Sequence, residues 1–69
     1  MDEVKIFYDD QGHTLTVWFG RPEDEYVCEE TSEEVILMKD RQGRVIGFEK
    51  LNYVADPKRL HLNLETVAA

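Results

Sequence analysis

Apolar and polar residues alternate along much of this chain, and this is the spacing of β-strands. In the run Thr14–Phe19 the three apolar residues fall on one face, while two threonines and Trp18 fall on the other. A shorter run, Lys5–Tyr8, precedes it, and the segment Asp9–His13 between them is rich in turn-forming residues. The first part of the chain therefore predicts a β-hairpin.

A second hairpin is predicted in the middle of the chain. Val35–Met38 is a continuous apolar run, too short for a buried helix, and predicts a strand covered on both faces, at least in part. In Asp40–Gly43 the aspartate can accept backbone hydrogen bonds, and the glycine can take the positive φ of a hairpin turn. A further strand begins at Val45, where the internal Gly47 indicates a bulge or the close approach of another backbone.

The segment between the two hairpins predicts a weaker strand. Gly20–Asp24 contains Pro22, which cannot donate to a strand ladder, and so ends the first hairpin. Glu25–Glu30 follows as a weak strand whose acidic residues face water, as on an edge that must not pair with neighbours. Thr31–Glu34 is a polar connection.

The C-terminal segment fits two structures. Asp56 and Pro57 together form a good helix start, and Leu60, Leu64 and Val67 follow at helical spacing. The leucines at 60, 62 and 64 also alternate strictly, which is strand spacing. The cap favours a short helix. The predicted fold is α+β, a single domain over residues 1–69 with a mostly antiparallel β meander of four to five strands and a short C-terminal helix.

The short length predicts self-association. A chain of 69 residues buries little surface and needs further stabilisation. Its single cysteine, Cys28, excludes an intramolecular disulfide, and with two histidines a structural metal is not expected. We therefore expect a homodimer or larger homo-oligomer, with no metal and no cofactor.

The net charge of −7 narrows the choice of partners. Its eight basic residues are scattered among acids, so we expect no nucleic-acid binding. An acidic surface is compatible with a basic protein partner, although such a surface more commonly serves solubility. Met1–Val4 lacks the features of a signal peptide, and no apolar run is long enough to cross a bilayer. These features predict a cytoplasmic protein with no membrane partner.

Two stretches of the sequence resemble a known family. They are Tyr8-Asp9 with Leu15-x-Val17, and Glu34-Val35-Ile36-Leu37 with Asp40-x-x-Gly43-Arg44-Val45-Ile46-Gly47-Phe48-Glu49-x-Leu51. Over Lys5 to Ala55 the chain resembles the small prokaryotic proteins of domain of unknown function 2283. His13 and Thr16 depart from the family pattern. The resemblance implies a small, mostly β protein without an assigned activity, of a kind that binds partners, in some members as the antitoxin-like half of a two-gene pair.

The candidate chemical groups are few. His13 lies near Asp9 and Asp10 and could act as a general acid or base, or help to bind a metal or ligand, but a solvated turn histidine is the more ordinary interpretation. Cys28 has acidic neighbours, which disfavour the reactive thiolate. We therefore predict no enzyme and no catalytic residue, and keep a small hydrolase or metal- or ligand-binding protein using His13 as the alternative.

Several large side chains are candidates for an interface. Trp18 is predicted on the sheet face opposite Leu15, Val17 and Phe19, where it is either exposed or covered by a helix of the same chain. The residues predicted for the interface are Trp18, Tyr26, Tyr53, Leu60 and Leu64. The predicted function is a non-enzymatic, self-associating protein-interaction module.

Overall fold

The computed structural model describes residues 3–67, and its regular structure consists of five strands and one short 3-10 turn at Pro22–Asp24. The strands are β1 (Lys5–Asp9), β2 (Thr14–Trp18), β3 (Val27–Glu30), β4 (Val35–Lys39) and β5 (Val45–Lys50). Each predicted strand is present with bounds that differ by at most two residues. The positions of the strands could therefore be predicted from the local pattern of apolar and polar side chains.

The strands form one antiparallel sheet in the order β1-β2-β5-β4-β3. The predicted meander order is wrong, because β5 lies between β2 and β4. A meander would place the acidic strand β3 beside β2 in the interior of the sheet. The observed order instead gives the apolar strands β2 and β4 a shared neighbour and leaves β3 at the edge, where it was predicted.

The predicted C-terminal helix is also wrong, and the fold of the described residues is all-β rather than α+β. Asp56 does cap a turn: its carboxylate accepts the N–H of Lys58 at 3.0 Å, and its carbonyl accepts the N–H of Arg59 at 2.9 Å. The turn does not continue, and residues 60–67 have no regular structure. A helical nucleus is costly, and the residues that follow include His61 and Asn63, which are weak helix formers.

Strand register assigns the side chains to two faces, since directly opposed residues point the same way. Face A carries Ile6, Tyr8, Leu15, Val17, Leu37 and Phe48. Face B carries Phe7, Thr16, Trp18, Ile36, Met38 and Glu49. Face A also carries Lys50 and Glu29, but it remains the more apolar of the two, because the polar residues of face B are more numerous: Lys5, Asp9, Thr14, Thr16, Glu30 and Glu49.

No helix or second sheet covers either face in residues 3–67, although the segment with Tyr53 and Ala55 contacts Tyr8 on face A. The buried apolar side chains of residues 3–67 are Met38, 5% exposed, and Ile46, 9% exposed, and they lie on opposite faces. The accessible surface is 5895 Å², whereas a compact monomer of 8.1 kDa exposes about 4,500 Å². The radius of gyration is 13.3 Å, against about 11 Å for a compact domain of this length. The chain is therefore an open single-layer sheet.

A glycine is required at position 47 because the backbone of β2 passes close to it. The position of Gly47 inside a strand predicted a bulge or a close approach of this kind. A Cβ at this position would lie 2.7 Å from the carbonyl oxygen of Val17 and 2.9 Å from Cε3 of Trp18. It would also lie 3.3 Å from the terminal methyl of Met38. The register shifts between Met38 and Lys39, opposite the start of β5. Trp18 and Met38 therefore meet over a bare stretch of backbone beside a bulge.

Candidate functional site

In the turn between β1 and β2, the carboxylate of Asp9 has a structural role. The carboxylate of Asp9 accepts the N–H groups of Gln11 and Gly12, both at 3.0 Å, and these bonds lower its pKa, with a smaller contribution from the charge of His13. His13 is exposed, has a φ of 57°, and uses its carbonyl to accept the N–H of Tyr53 at 2.8 Å. The arrangement is that of a hydrogen-bonded turn that holds the C-terminal segment.

Metal ligands do not gather in the part of the chain that the structure describes. Residues 3–67 contain no group of three or more histidine, cysteine or acidic side chains placed to hold an ion.

Cys28 donates a hydrogen bond from Sγ to the carboxylate of Glu25. This bond, together with desolvation and the nearby negative charge, raises the pKa of the thiol. The prediction that its acidic neighbours disfavour the thiolate is confirmed. The thiol is exposed but is not activated as a nucleophile.

The second turn is built around Asp40, which is 7% exposed. Its carboxylate accepts the N–H groups of Gln42 and Arg44 at 3.0 Å and the guanidinium Nε of Arg44 at 2.9 Å. Burial alone would raise the pKa of this carboxyl, but the bonds from Arg44 and Gln42 outweigh burial and lower it. Gly43 has a φ of 79°, as predicted for this turn.

Trp18 lies on face B with Thr16, as the alternation predicted, and is half-buried. No helix covers it in residues 3–67; its ring instead packs across Gly47 toward Met38. Trp18 is thus part of the chain's own packing as well as a boundary of an open face.

The tyrosines lie in two other places. Tyr53 packs edge-to-face on Tyr8, with ring centroids 5.9 Å apart and an interplanar angle of 87°. The hydroxyl of Tyr8 donates to the carbonyl of Ala55 at 2.9 Å and accepts its N–H at 2.7 Å. Tyr26 is 62% exposed, and the guanidinium of Arg41 lies 4.8 Å from its ring centroid.

The five side chains predicted for an interface therefore do not form one patch. Leu60 is half-buried and Leu64 is 95% exposed, both beyond the tyrosine contacts. Of the five, Tyr26 and Leu64 are exposed and the other three are half-buried. Sequence reasoning missed face A as a continuous apolar surface. Its members come from four strands, and only the strand order brings them together.

Charge is distributed unevenly around the sheet. Acidic residues are concentrated along the β3 edge and the turns at its ends: Glu23, Asp24, Glu25, Glu29, Glu30, Glu33 and Glu34. Three basic residues pair with four of these acids. Arg21 contacts Glu23 at 3.0 Å and Asp24 at 4.0 Å, Lys39 contacts Glu29 at 2.8 Å, and Lys50 contacts Glu34 at 3.5 Å. The β3 side of the molecule is thus an acidic surface beside the apolar face A.

Between residues 3 and 67 there is no helix of the length and apolarity needed to cross a bilayer.

Comparison with known proteins gives one family match. The model of a family described as "Protein of unknown function (DUF2283)" matches residues 5–53. Neither the curated proteins nor the solved structures include a match to this chain.

Proposed function

Since this chain belongs to DUF2283, a family of proteins of unknown function, we propose a role from its own surfaces: a non-enzymatic, self-associating protein-interaction module. The predicted family resemblance is confirmed, but the family description assigns no activity. The proposal therefore depends on the shape and the chemistry of the sheet.

The observation that carries the proposal is the open, single-layer sheet. A sheet with apolar side chains on its faces normally packs one of them against another layer. The chain exposes about 1,400 Å² more surface than a compact monomer of its mass, shared between the sheet faces and the exposed residues 60–67. A standard protein interface buries about 800 Å² on each partner. A second copy therefore fits both the size and the chemistry of the missing layer.

Face A is the better candidate for this contact. Its centre, from Val17 through Phe48 to Leu37, is apolar across three adjacent strands. At the corresponding level of face B, Thr16 donates a hydrogen bond to Glu49 at 3.2 Å, and burying that carboxylate would cost free energy. A two-fold pairing of face A with itself buries this apolar centre, while Lys50 and Glu29 of the same face lie at its margin, in ion pairs with Glu34 and Lys39.

The test compares two neighbouring residues of β4 that point to opposite faces. Leu37→Lys places a charge in the centre of face A, whereas Ile36→Lys places the same charge on face B opposite Glu49 and Glu30. We expect wild type and Ile36→Lys to have the mass of a dimer or larger oligomer by light scattering, and Leu37→Lys to associate at least about tenfold more weakly.

Circular dichroism of each variant shows whether it is folded. Loss of association can then be separated from loss of the fold. A wild-type protein that is monomeric at all concentrations would overturn self-association. A folded Leu37→Lys variant with unchanged mass would overturn the choice of face A.

The acidic β3 side extends the proposal to a second partner. We propose that it receives a basic protein in the cytoplasm, as an antitoxin-like protein would. Capture of tagged protein at low and high salt tests this step. The expected result is one stoichiometric basic protein that survives nuclease and is lost at high salt. Capture that does not depend on salt would contradict an electrostatic contact.

A further inference from the structure

Residues 60–67, here called the C-terminal arm, extend from the sheet without pairing to it. Within these residues the structure contains no hydrogen bond between backbone groups, whether inside the arm or to a strand. Leu62 is 62% exposed, and Leu64 and Val67 are almost fully exposed. The arm thus presents both its apolar side chains and its backbone donors and acceptors to solvent.

The arm has the pattern of a strand with one apolar face. Leu60, Leu62 and Leu64 alternate with polar residues at 61, 63 and 65. Two cations, Lys58 and Arg59, immediately precede it. The arm is therefore suited to an acidic sheet edge with one apolar face.

The edge strand β3 has these properties. All four of its residues are exposed, and it pairs with β4 on one side only. Its acids Glu29 and Glu30 complement the cations at the base of the arm. A strand added beside β3 would extend face A with the leucines and place the polar residues of the arm on face B, next to Cys28.

Pairing with β3 of its own chain would leave little of the arm to form a strand. Its base is held at the β1–β2 hairpin, where Tyr8 binds Ala55 and His13 binds Tyr53. The turn from Asp56 to Arg59 adds little reach. β3 is four strand spacings away, about 19 Å, which would use most of the roughly 26 Å of an extended eight-residue arm.

We infer that the C-terminal arm of one subunit adds as a sixth strand to the free β3 edge of a second copy. Reciprocal exchange of two arms closes a two-fold dimer. This inference rests on the proposed self-association and adds the β3 edge to the face A contact. The acids in the turns at the two ends of β3, Glu23, Asp24 and Glu33, then remain for the basic partner.

The single cysteine provides a direct test in the full-length chain. His61→Cys, Asn63→Cys and Glu65→Cys each place a second thiol on the side of the arm that would face Cys28 of the other copy. Gln11→Cys is the control, because it is an exposed position in the β1–β2 turn, at the other edge of the sheet from β3. Each variant is oxidised mildly and analysed by non-reducing electrophoresis and mass spectrometry.

We expect at least one arm variant to form a disulfide-linked dimer about tenfold faster than Gln11→Cys and wild type, with peptide mapping that joins the arm to Cys28. An intramolecular disulfide within a monomer would overturn the inference, as would arm cysteines that react no faster than Gln11→Cys. If the arm fails this test while Leu37→Lys still weakens association, the proposed function stands without arm exchange. If wild type is monomeric, both proposals fail.

Discussion

At the residue scale, Asp40 shows how the second hairpin depends on one charged side chain. Its carboxylate is almost completely buried and bonds to Gln42 and Arg44, so the pKa is lower in the folded protein than the unfolded value of about 3.9. A carboxyl with a lowered folded pKa contributes stability above the unfolded pKa, and that contribution is lost as the pH falls through the folded value.

Asp40→Asn should therefore lower the urea midpoint at about pH 7, and the difference from wild type should shrink as the pH falls below the unfolded value of about 3.9. Asparagine keeps an acceptor for the backbone N–H groups but loses the charged pair with the Arg44 guanidinium. Asp10→Asn, which makes the same charge change at an exposed turn position, serves as the control. A midpoint difference for Asp40→Asn that is constant over this pH range would contradict the assigned role.

The features of single residues that sequence could predict are those that depend on near neighbours. The left-handed φ of Gly43 and the acceptor role of Asp40 follow from the order of residues in one turn. The face occupied by Trp18 follows from alternation along one strand. Its packing over Gly47 toward Met38 does not, because those residues belong to strands whose order the sequence left open.

At the element scale, the clasp between Tyr8 and Ala55 fixes where the C-terminal segment leaves the sheet. The Tyr8 hydroxyl both donates to and accepts from the backbone of Ala55. Tyr8→Phe keeps the ring that packs on Tyr53 and removes both hydrogen bonds. We expect a loss of about 1 kcal/mol in unfolding free energy.

Hydrogen exchange at the Ala55 amide provides the local measurement of this change. It should become about fivefold faster in Tyr8→Phe, because the amide loses its acceptor. Tyr26→Phe is the matched control, since Tyr26 is exposed and its contact with Arg41 is made by the ring, which phenylalanine keeps. Unchanged exchange at Ala55 would mean that the clasp does not hold the segment.

The errors at this scale have a common cause. Strand positions were predictable because alternation is local, whereas the place of β5 between β2 and β4 depends on pairing across about thirty residues. For the C-terminal segment, the cap at Asp56 favoured a helix and the leucine spacing favoured a strand. In the structure, Asp56 caps a single turn, and residues 60–67 follow without regular structure. The cap and the leucine spacing therefore belong to different parts of the same segment.

At the scale of the whole molecule, folding and association should be one equilibrium. A sheet with two buried apolar side chains in its described residues has little core with which to offset conformational entropy. Obligate dimers of this kind have no stable folded monomer, so their stability depends on protein concentration.

We therefore expect the urea midpoint of wild type to rise with protein concentration. Raising the concentration about a hundredfold shifts the balance between dimer and unfolded chains by about 2.7 kcal/mol, which corresponds to roughly 1 M urea for a small protein. Ile36→Lys should show the same dependence, because its face is not the proposed contact. Leu37→Lys should unfold at a lower midpoint than wild type at every concentration, because its dimer is weaker. A wild-type midpoint independent of concentration would show that the single-layer sheet is stable alone, and the excess exposed surface would then need an explanation other than a second copy.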